Sequence, residues 1–504
     1  MPKRKQDAET AGEEMVGLDD AAGILGVSRS TLQRMLKQGN VRGFKVGRQW
    51  RFRRADLDKF GRMSHPSAAG VKVSEMEGIV DSLAEQGMPT GEVAFESSPA
   101  GFPASEQEAS LDKLLKRLLA AAAKQGASDI HIEPTRHGVN VRIRVDGVLH
   151  HVLEMPLYAH KPLIVAIKQH ADLALDQEQI AQDGRFHFTL DGTECDVRVA
   201  VLPSIYGETV VMRLLQQVAR LIALDAGERL GLSSTDLERF KRLVHAPNGL
   251  ILISGPSGSG KTTLMYSALQ HVAKSEIKTF TIEDPVEYAF PWVTQSSVNV
   301  RAGFTFEHAM RAIVRHDPDV IMLGNIRDLP VAEMAVRHAL IGHLVVGTIH
   351  ANSAVGAIQR LLDMGVEPFA LAESLVCVVS MRLVRRVCEE CGAPEQPSYA
   401  VLSPLAERAK TGGYQLPENP SFRRGGGCDA CRHGGYRGRI GIFEVMEVNS
   451  EIQRLIIARA PLESLRDAAV RNGLTTLTAD GLRKAAEGIT SLTEVARLLP
   501  EEPA

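Results

Sequence analysis

The order of apolar and polar residues along the chain predicts alternating strands and helices. Residues 250–253 (Leu-Ile-Leu-Ile) and 344–346 (Leu-Val-Val) are unbroken apolar runs, as in strands buried on both faces. Residues 139–145 carry Val or Ile at every second position, which indicates a strand with one exposed face, and Asp146-Gly147 forms the following turn. Leucines at helical spacing in residues 111–119 predict a buried helix face. The pattern therefore predicts a mixed α/β protein.

Length and composition limit the class of protein. A chain of 504 residues exceeds what one hydrophobic core supports, so we expect about two to four domains. The net charge of −3, with 24% charged residues, indicates no strongly acidic or basic partner for the whole chain. No apolar run approaches the roughly 20 residues that cross a bilayer, and the charged N-terminus is unlike a secretory signal. We expect a cytoplasmic protein.

A glycine-rich segment follows the apolar run at residues 250–253. It has the pattern G-x-x-x-x-G-K-T and precedes an apolar helical stretch, which is the strand–loop–helix setting of a phosphate-binding loop. In such a loop, backbone N–H groups surround the phosphates, Lys261 contacts the β and γ oxygens, and the Thr262 hydroxyl binds Mg²⁺. The sequence therefore predicts a site for ATP and Mg²⁺. Its residues are Gly255, Pro256, Ser257, Gly258, Ser259, Gly260, Lys261, Thr262 and Thr263.

Four of the six cysteines form two C-x₂-C pairs. The pairs are Cys388 with Cys391 and Cys428 with Cys431. Two such pairs supply the four thiolates of the tetrahedral shell that zinc prefers, so we predict a structural Zn²⁺ site. A redox role is the alternative, although neither pair has a thioredoxin-like context. Cys195 and Cys377 lie in apolar patterns and are predicted to be core residues.

The N-terminal block resembles the winged helix-turn-helix of excisionase and MerR-type DNA-binding domains. Residues 18–25 and a second helix capped by Ser28 form the helical part, and alternating apolar residues at 44–52 form a two-stranded wing. Residues 21–55 contain nine Lys or Arg and no acidic residue. This charge favours DNA binding through residues 18–54, with Arg29, Gln33 and Arg34 placed for base edges. A module that docks a protein partner is the alternative.

Several further motifs resemble those of the ATPases that drive type II secretion and type IV pilus assembly. Residues 281–288 (Thr-Ile-Glu-Asp-Pro-Val-Glu-Tyr) resemble the acidic box of this family, and residues 317–324 resemble its Walker B strand. Residues 342–352 resemble its histidine box. Residues 127–134 and 182–185 match the domain that precedes the motor core. The resemblance extends over about residues 111 to 500.

The resemblance implies a multidomain α/β architecture. We expect a RecA-like P-loop core preceded by a PAS-like α/β domain, with a zinc module, a helical tail and an N-terminal winged helix. The expected bounds are 14–60 for the winged helix, 61–108 for a linker, 109–217 for the PAS-like domain, 218–386 for the P-loop domain, 387–446 for the tetracysteine module and 447–500 for the helical tail.

The family also implies an assembly and a task. Its members form hexameric rings in which ATP lies between the two α/β domains, and they act at the inner membrane through a platform protein and other secretion or pilus components. We therefore expect a motor peripheral to the inner membrane that powers pseudopilus or pilus assembly. The alternative is a DNA-binding regulator that changes state on ATP occupancy without turnover.

The resemblance assigns roles to residues outside the P-loop. Glu283 and Asp284 are expected to hold Mg²⁺ and its waters. His350 is expected to contact the γ-phosphate or sense it, and a structural histidine is the alternative both there and at His343. Three arginines of the preceding domain are expected to reach the triphosphate, with surface salt bridges as the alternative. They are Arg185, Arg198 and Arg213.

One departure from the family pattern affects catalysis. The family has Gly-Glu-Ile-Arg-Asp-x-Glu-Thr after the Walker B strand, whereas residues 324–331 are Gly-Asn-Ile-Arg-Asp-Leu-Pro-Val. Asn325 replaces the glutamate that polarises the attacking water, and an amide cannot take its proton. We expect hydrolysis to be slower by about 10²-fold or more, the usual contribution of a general base. Glu283 is the candidate substitute base.

Overall fold

The computed structural model describes residues 15–18, 20–21, 43–46, 49–54, 79, 89–95, 106–216 and 223–499. The chain divides into two compact units, Met1–Gln217 and Val218–Ala504. Each unit has its own hydrophobic core. Among the described residues, no helix has the length and apolar character needed to cross a membrane.

The N-terminal block contains a small antiparallel sheet. Its strands are β1 (Met15–Val16), β2 (Phe44–Val46) and β3 (Gln49–Arg53), in the order β1-β3-β2. The predicted two-stranded wing is confirmed by the pairing of β2 with β3, and Phe52 is fully buried. Most of the predicted helical part, including Arg29, Gln33 and Arg34, lies outside the described residues.

The first unit also contains a seven-stranded antiparallel sheet in the order β4-β8-β9-β10-β5-β6-β7. These strands are β4 (Val93–Phe95), β5 (Asp129–Pro134), β6 (Val139–Val145), β7 (Val148–Met155), β8 (Gln182–Leu190), β9 (Thr193–Ser204) and β10 (Gly207–Gln216). Two helices pack into the same core, namely α1 (Glu106–Lys124) and α2 (His160–His170). Strand β4 lies inside residues 61–108, which were predicted to be a linker. The sequence does not predict this strand, because three residues are too few to show a periodic pattern.

The second unit is built on a seven-stranded sheet in the order β13-β12-β14-β15-β11-β16-β19. Its strands are β11 (Gly249–Ser254), β12 (Thr279–Glu283), β13 (Val293–Ser297), β14 (Val320–Leu323), β15 (Leu344–Ile349), β16 (Leu375–Val387) and β19 (Tyr436–Glu447). All neighbours are parallel except β19, which is antiparallel to β16. Strands β17 (Gly392–Pro394) and β18 (Arg423–Gly425) form a separate antiparallel pair.

Helices cover both faces of this sheet, as a parallel sheet requires. Leu250 and Leu252 enter one core, whereas Ile251 and Ile253 enter the other. The helices are α3 (Gly227–Leu230), α4 (Ser234–Leu243), α5 (Lys261–Val272), α6 (Phe306–Ile313), α7 (Leu329–Leu340), α8 (Ala354–Met364), α9 (Pro368–Ser374), α10 (Tyr399–Thr411), α11 (Ser450–Ile457), α12 (Leu462–Arg471), α13 (Leu477–Ala486) and α14 (Leu492–Leu498). The predicted α/β fold class is confirmed by this arrangement.

The C-terminal part of the chain is continuous with the central sheet. Helices α11 and α12 contribute Ile452 and Leu465 to the same core as Leu250. Helices α10, α13 and α14 instead pack around Ile440 and Ile442 of strand β19. The segments predicted as a zinc module and a helical tail therefore share strands and cores with the P-loop region, and their predicted bounds stay predictions.

Candidate functional site

The phosphate-binding loop starts where the central strand β11 ends. Gly255 has a φ of 152°, and a Cβ added there would lie 2.5 Å from the Met381 carbonyl oxygen. Gly260 has a φ of 97° and is the N-cap of helix α5. Both positions need glycine because a side chain would be strained or would clash. The loop thus leads from a buried strand into a helix N-terminus, whose unpaired N–H groups favour an anion.

Lys261 is folded back onto the loop. Its Nζ donates to the carbonyl oxygens of Gly255 and Pro256, each at 2.9 Å. Only 9% of the residue is exposed, and burial lowers the pKa of Lys261 to about 8. Two backbone dipoles compensate its charge, and phosphate oxygens would do so more strongly. The side chain is therefore placed to move from carbonyl to phosphate partners.

The two histidines of the predicted histidine box lie at opposite ends of strand β15. The parallel register of β11 and β15 pairs Ser254 with Ile349, which brings His350 beside the loop. Burial and the charge of Lys261 lower the pKa of His350, and a hydrogen bond to the Gly255 backbone acts in the opposite direction. His343, in contrast, contacts the His338 carbonyl oxygen at 3.2 Å. Only His350 is joined to the P-loop.

The two carboxylates of the acidic box have different surroundings. Glu283 is 2% exposed and accepts hydrogen bonds from the Thr281 hydroxyl at 2.6 Å, from the Gln295 amide at 3.3 Å and from the Tyr266 hydroxyl. Asp284 is partly exposed and accepts a hydrogen bond from Arg327 at 2.8 Å. Glu283 is thus fixed in place by three donors, whereas Asp284 lies at the surface with one cationic partner.

Asn325 follows strand β14 directly beside the acidic box. The Gly324 N–H donates to the Ile282 carbonyl oxygen at 2.8 Å, and a Cβ on Gly324 would lie 3.3 Å from the Glu283 Cα. The end of β14 therefore packs closely on the end of β12. The Asn325 Oδ1 is buried and has no hydrogen-bond partner among the described residues. A buried oxygen without a partner costs about 1–3 kcal/mol.

The other two residues that differ from the family pattern, Pro330 and Val331, lie in the first turn of helix α7. The Asp328 carboxylate accepts a hydrogen bond from the Val331 N–H at 3.1 Å and is the N-cap. Pro330 lies in the first turn, where a missing N–H costs nothing. Val331 is 5% exposed and packs in the core. Pro330 and Val331 are therefore compatible with an ordinary helix start.

The three arginines of the first unit that are predicted to reach the triphosphate form one cross-strand row. Arg185 of β8 lies opposite Arg198 of β9, which lies opposite Arg213 of β10. Directly opposite residues of an antiparallel sheet point to the same face, and like charges there repel each other. Adjacent strands are about 4.8 Å apart, so the row spans about 10 Å. An anion bound across the row would reduce this repulsion.

The four predicted zinc ligands lie in one cluster. Their sulfur atoms all lie within 4.8 Å of one another. The separations are 3.9 Å for Cys388 to Cys428, 3.7 Å for Cys391 to Cys431 and 3.7 Å for Cys428 to Cys431. A tetrahedral ion with bonds of about 2.3 Å to sulfur needs sulfur atoms about 3.8 Å apart. The cluster therefore has the dimensions of a Zn²⁺ site.

Backbone N–H groups also donate to these sulfur atoms. Gly427 donates to the Cys391 Sγ at 3.3 Å, and Gly435 donates to the Cys431 Sγ at 3.2 Å. Such donors stabilise thiolates, which are the form that binds metal. The other two cysteines, Cys195 and Cys377, are buried in apolar cores, as predicted.

Comparison with known proteins identifies the family. A profile of the family described as "Type II/IV secretion system protein" matches residues 104–497. The chain belongs to this family. A second profile, described as "Helix-turn-helix domain", matches residues 15–62 of this type II/IV secretion system protein.

Two curated relatives of this secretion system protein are named as ATPases. It is 41% identical over 420 residues to the type II secretion system ATPase E of Vibrio cholerae, covering 83% of this chain and 80% of that protein. It is also 41% identical over 394 residues to the type IV pilus assembly ATPase PilB of Thermus thermophilus, covering 78% of this chain and 43% of that protein.

A solved structure supports the same fold. The ATPase DotB of Legionella pneumophila is 18% identical and superimposes with a TM-score of 0.56, covering 80% of this chain and 98% of that one. At this identity the similarity concerns the fold alone. It agrees with the arrangement of strands and helices described above.

Several partners of the acidic box in this secretion system protein were not predicted from the sequence. Tyr266 and Gln295 hold Glu283, and Arg327 pairs with Asp284. One signal was available for Tyr266: it lies on the apolar face of the helix after the P-loop, and a buried tyrosine hydroxyl needs a partner. The contacts of Gln295 and Arg327 depend on distant packing and leave no local pattern.

Proposed function

We propose that this chain is a hexameric motor ATPase that couples ATP hydrolysis to pseudopilus or pilus assembly and protein export. It acts in the cytoplasm at the inner membrane through a platform protein. The observation that carries this proposal is a P-loop that joins strand β11 to helix α5, with Lys261 folded onto the Gly255 carbonyl oxygen and His350 following the neighbouring strand end. The relatives named as secretion and pilus ATPases support the assignment.

Phosphate binding in this proposal depends mainly on the second unit. The N–H groups of the loop and of the α5 N-terminus hold the phosphates of ATP. Lys261 exchanges its two carbonyl partners for β and γ oxygens, and His350, held on Gly255, reports the γ position. Arg185, Arg198 and Arg213 add positive charge toward the phosphates, because guanidinium groups match phosphate geometry.

The oxygen donors near the loop fit a magnesium ion. Mg²⁺ prefers oxygen ligands and keeps several of its waters. The Thr262 hydroxyl and the partly exposed Asp284 carboxylate are donors of this kind. When bound, the ion would neutralise charge on the β and γ phosphates. Arg327 must then give up or share Asp284, which links the ion to the segment that contains Asn325.

Turnover in this proposal is slow because Asn325 cannot accept a proton. Its buried, unpartnered Oδ1 can accept a hydrogen bond from the attacking water and so orient it. Glu283 is the substitute base, and its three donors restrict its movement. The test is steady-state ATP hydrolysis by the assembled full-length protein beside Asn325→Glu, with Lys261→Ala as the background.

The four-cysteine cluster is proposed to hold a structural Zn²⁺. Four sulfur ligands complete the tetrahedral shell, so no position is left for a catalytic water. The ion would fix the two C-x₂-C segments, and these lie next to the small β17–β18 pair. A structural role agrees with the position of the cluster between strands β16 and β19 along the chain.

A second candidate function is ATP-dependent DNA binding through the N-terminal block. The match of a helix-turn-helix profile to residues 15–62 favours it, together with nine basic and no acidic residues at 21–55. Fluorescence anisotropy of duplex DNA with the full-length protein is the test, at two salt concentrations and with or without MgATP. Salt-sensitive binding supports DNA recognition, and no binding at low salt leaves the docking alternative.

A further inference from the structure

The arginine row of the first unit continues across two more strands. Arg213 lies opposite Asp129 of β5, and Asp129 lies opposite Arg144 of β6. The complete row is Arg185, Arg198, Arg213, Asp129 and Arg144, so it contains four cations and one carboxylate. The carboxylate lies next to the last of the three arginines assigned to phosphate.

Asp129 binds Arg213 at the Nε atom of the guanidinium group. The Arg213 Nε donates to the Asp129 Oδ1 at 2.9 Å, while the Ser128 hydroxyl donates to the other carboxylate oxygen at 2.8 Å. Asp129 is 5% exposed, whereas the Arg213 side chain is 61% exposed. Arg144 approaches the same carboxylate at 3.8 Å. The buried end of Arg213 is thus fixed, and its two terminal nitrogens remain at the surface.

The ionisation of Asp129 suits this contact. Burial alone would raise its pKa, but hydrogen bonds from Arg213 and Ser128 bring the pKa below its ordinary value. The carboxylate is therefore ionised at neutral pH, and its bond to Arg213 is charge-assisted. Arg185 and Arg198 have no comparable ion pair with any residue that the structure describes.

We propose that Asp129 is a positioning residue for Arg213, holding its Nε edge so that the terminal nitrogens are directed at a nucleotide phosphate. This inference rests on the proposed role of the arginine row. A free arginine loses side-chain entropy when it binds, and an anchored one has lost most of it beforehand. Deleting Asp129 leaves the charge of Arg213 and removes its orientation. The expected consequence is weaker nucleotide binding without loss of fold.

The same strand offers a matched control. Glu133 lies four residues from Asp129 on the same face of β5 and accepts a hydrogen bond from the Arg142 Nε at 2.8 Å. Glu133→Gln therefore removes an equivalent sheet ion pair that does not touch the arginine row. Arg213→Lys keeps the charge but has no Nε edge to anchor, and its exposure makes misfolding a minor concern.

The experiment is a fluorescence titration of full-length protein with the magnesium complex of N-methylanthraniloyl-ATP. We expect Asp129→Asn and Arg213→Lys each to raise Kd by about tenfold, the size of one lost charge-assisted contact. Asp129→Glu should restore part of the affinity, and Glu133→Gln should leave Kd unchanged. Asp129→Asn should cause no further loss in the Arg213→Lys background, because the contact is already gone.

The outcomes separate the two levels of the argument. Unchanged Kd in Asp129→Asn, with weaker binding in Arg213→Ala, overturns the positioning role and leaves the arginine row in place. A full additional loss from Asp129→Asn in the Arg213→Lys background also overturns it, because the effect then does not pass through Arg213. Unchanged Kd in Arg213→Ala removes Arg213 from the proposed nucleotide site. If Asp129→Asn has the same thermal unfolding midpoint as Glu133→Gln, the fold of Asp129→Asn is retained.

Discussion

His350, which follows strand β15, and Lys261, which begins helix α5, both act on the backbone of one residue, Gly255. Lys261 donates to the Gly255 carbonyl oxygen at 2.9 Å, and the Gly255 backbone raises the pKa of His350 against the effects of burial and of the Lys261 charge. Parallel pairing of β11 with β15 brings the two residues together. The P-loop with Lys261 follows the end of β11, and His350 follows the end of β15. A ligand that draws Lys261 away from Gly255 therefore also changes the surroundings of His350.

Nucleotide affinity should fall as the pH rises above 8. Burial lowers the pKa of free Lys261 to about 8, and phosphate oxygens favour the charged form, so the pKa rises again on binding. The free protein must then take up a proton to bind above pH 8. We expect the Kd for MgATP to rise by up to about tenfold between pH 8 and 9. Isothermal titration calorimetry in buffers of different ionisation enthalpy measures both the Kd and the proton uptake; a pH-independent Kd contradicts this prediction.

The two histidines should differ in their effect on turnover. His350→Ala removes a group joined to the P-loop, and we expect about a tenfold or larger loss of kcat. His343→Ala removes a contact to the His338 carbonyl oxygen at the far end of β15 and should leave kcat unchanged. Steady-state hydrolysis of the two variants compares them directly. Equal losses would mean that His350 acts through the fold alone.

Removal of zinc should disturb the C-terminal part of the second unit. We expect about one zinc per chain by atomic emission, and its loss in Cys428→Ser, since three thiolates no longer close the shell. Cys195→Ser is the matched control, because this cysteine lies in the core of the first unit. The control should keep its zinc. Equal zinc contents in Cys428→Ser and the native protein would refute the site.

Glu494 should be a main source of stability for the C-terminal helices. Arg385 and Arg497 each donate to it, and although burial acts in the opposite direction, they lower its pKa to about 2. A depressed folded-state pKa contributes stability above the unfolded value near 4.5, which is lost as the pH falls toward 2. Glu494→Gln should cost about 3 kcal/mol at pH 7, because two arginines lose their charged partner.

Hydrogen exchange across α14 at pH 7, compared between the native protein and Glu494→Gln, measures this contribution. The exposed carboxylate of Glu487, which pairs with Arg483, provides the control variant Glu487→Gln. Protection of α14 that is equal in the two variants would show that the Glu494 contacts contribute little.

Local patterns in the sequence predict some parts of this molecule well. The P-loop requires a strand, three glycines and a lysine within a short segment, and each has a backbone reason that is visible in the sequence. Strand β6 was predicted because Val or Ile alternates with polar residues, and the structure confirms it at Val139–Val145. The spacing of the four cysteines predicts one metal site, and the structure brings their sulfur atoms within 4.8 Å of one another.

Other parts depend on strand register and on long-range packing. The cross-strand neighbours of Arg198 are fixed by the pairing of β8, β9 and β10, which no local pattern specifies. The bond from Gln295 to Glu283 joins two neighbouring strands of the second sheet. Both sets of contacts decide which charges face a ligand. The sequence therefore identifies the candidate site residues, whereas their hydrogen-bond and ion-pair partners depend on the fold.

The most direct test concerns the rate at which the assembled protein hydrolyses ATP. We predict that Asn325→Glu raises the steady-state kcat by about 10²-fold over the native chain while the Kd for MgATP stays within about twofold. Lys261→Ala sets the background, and Asn325→Gln, which keeps an amide, should remain as slow as the native chain. Equal and rapid turnover by the native chain and by Asn325→Glu would contradict the proposal that Asn325 limits this motor.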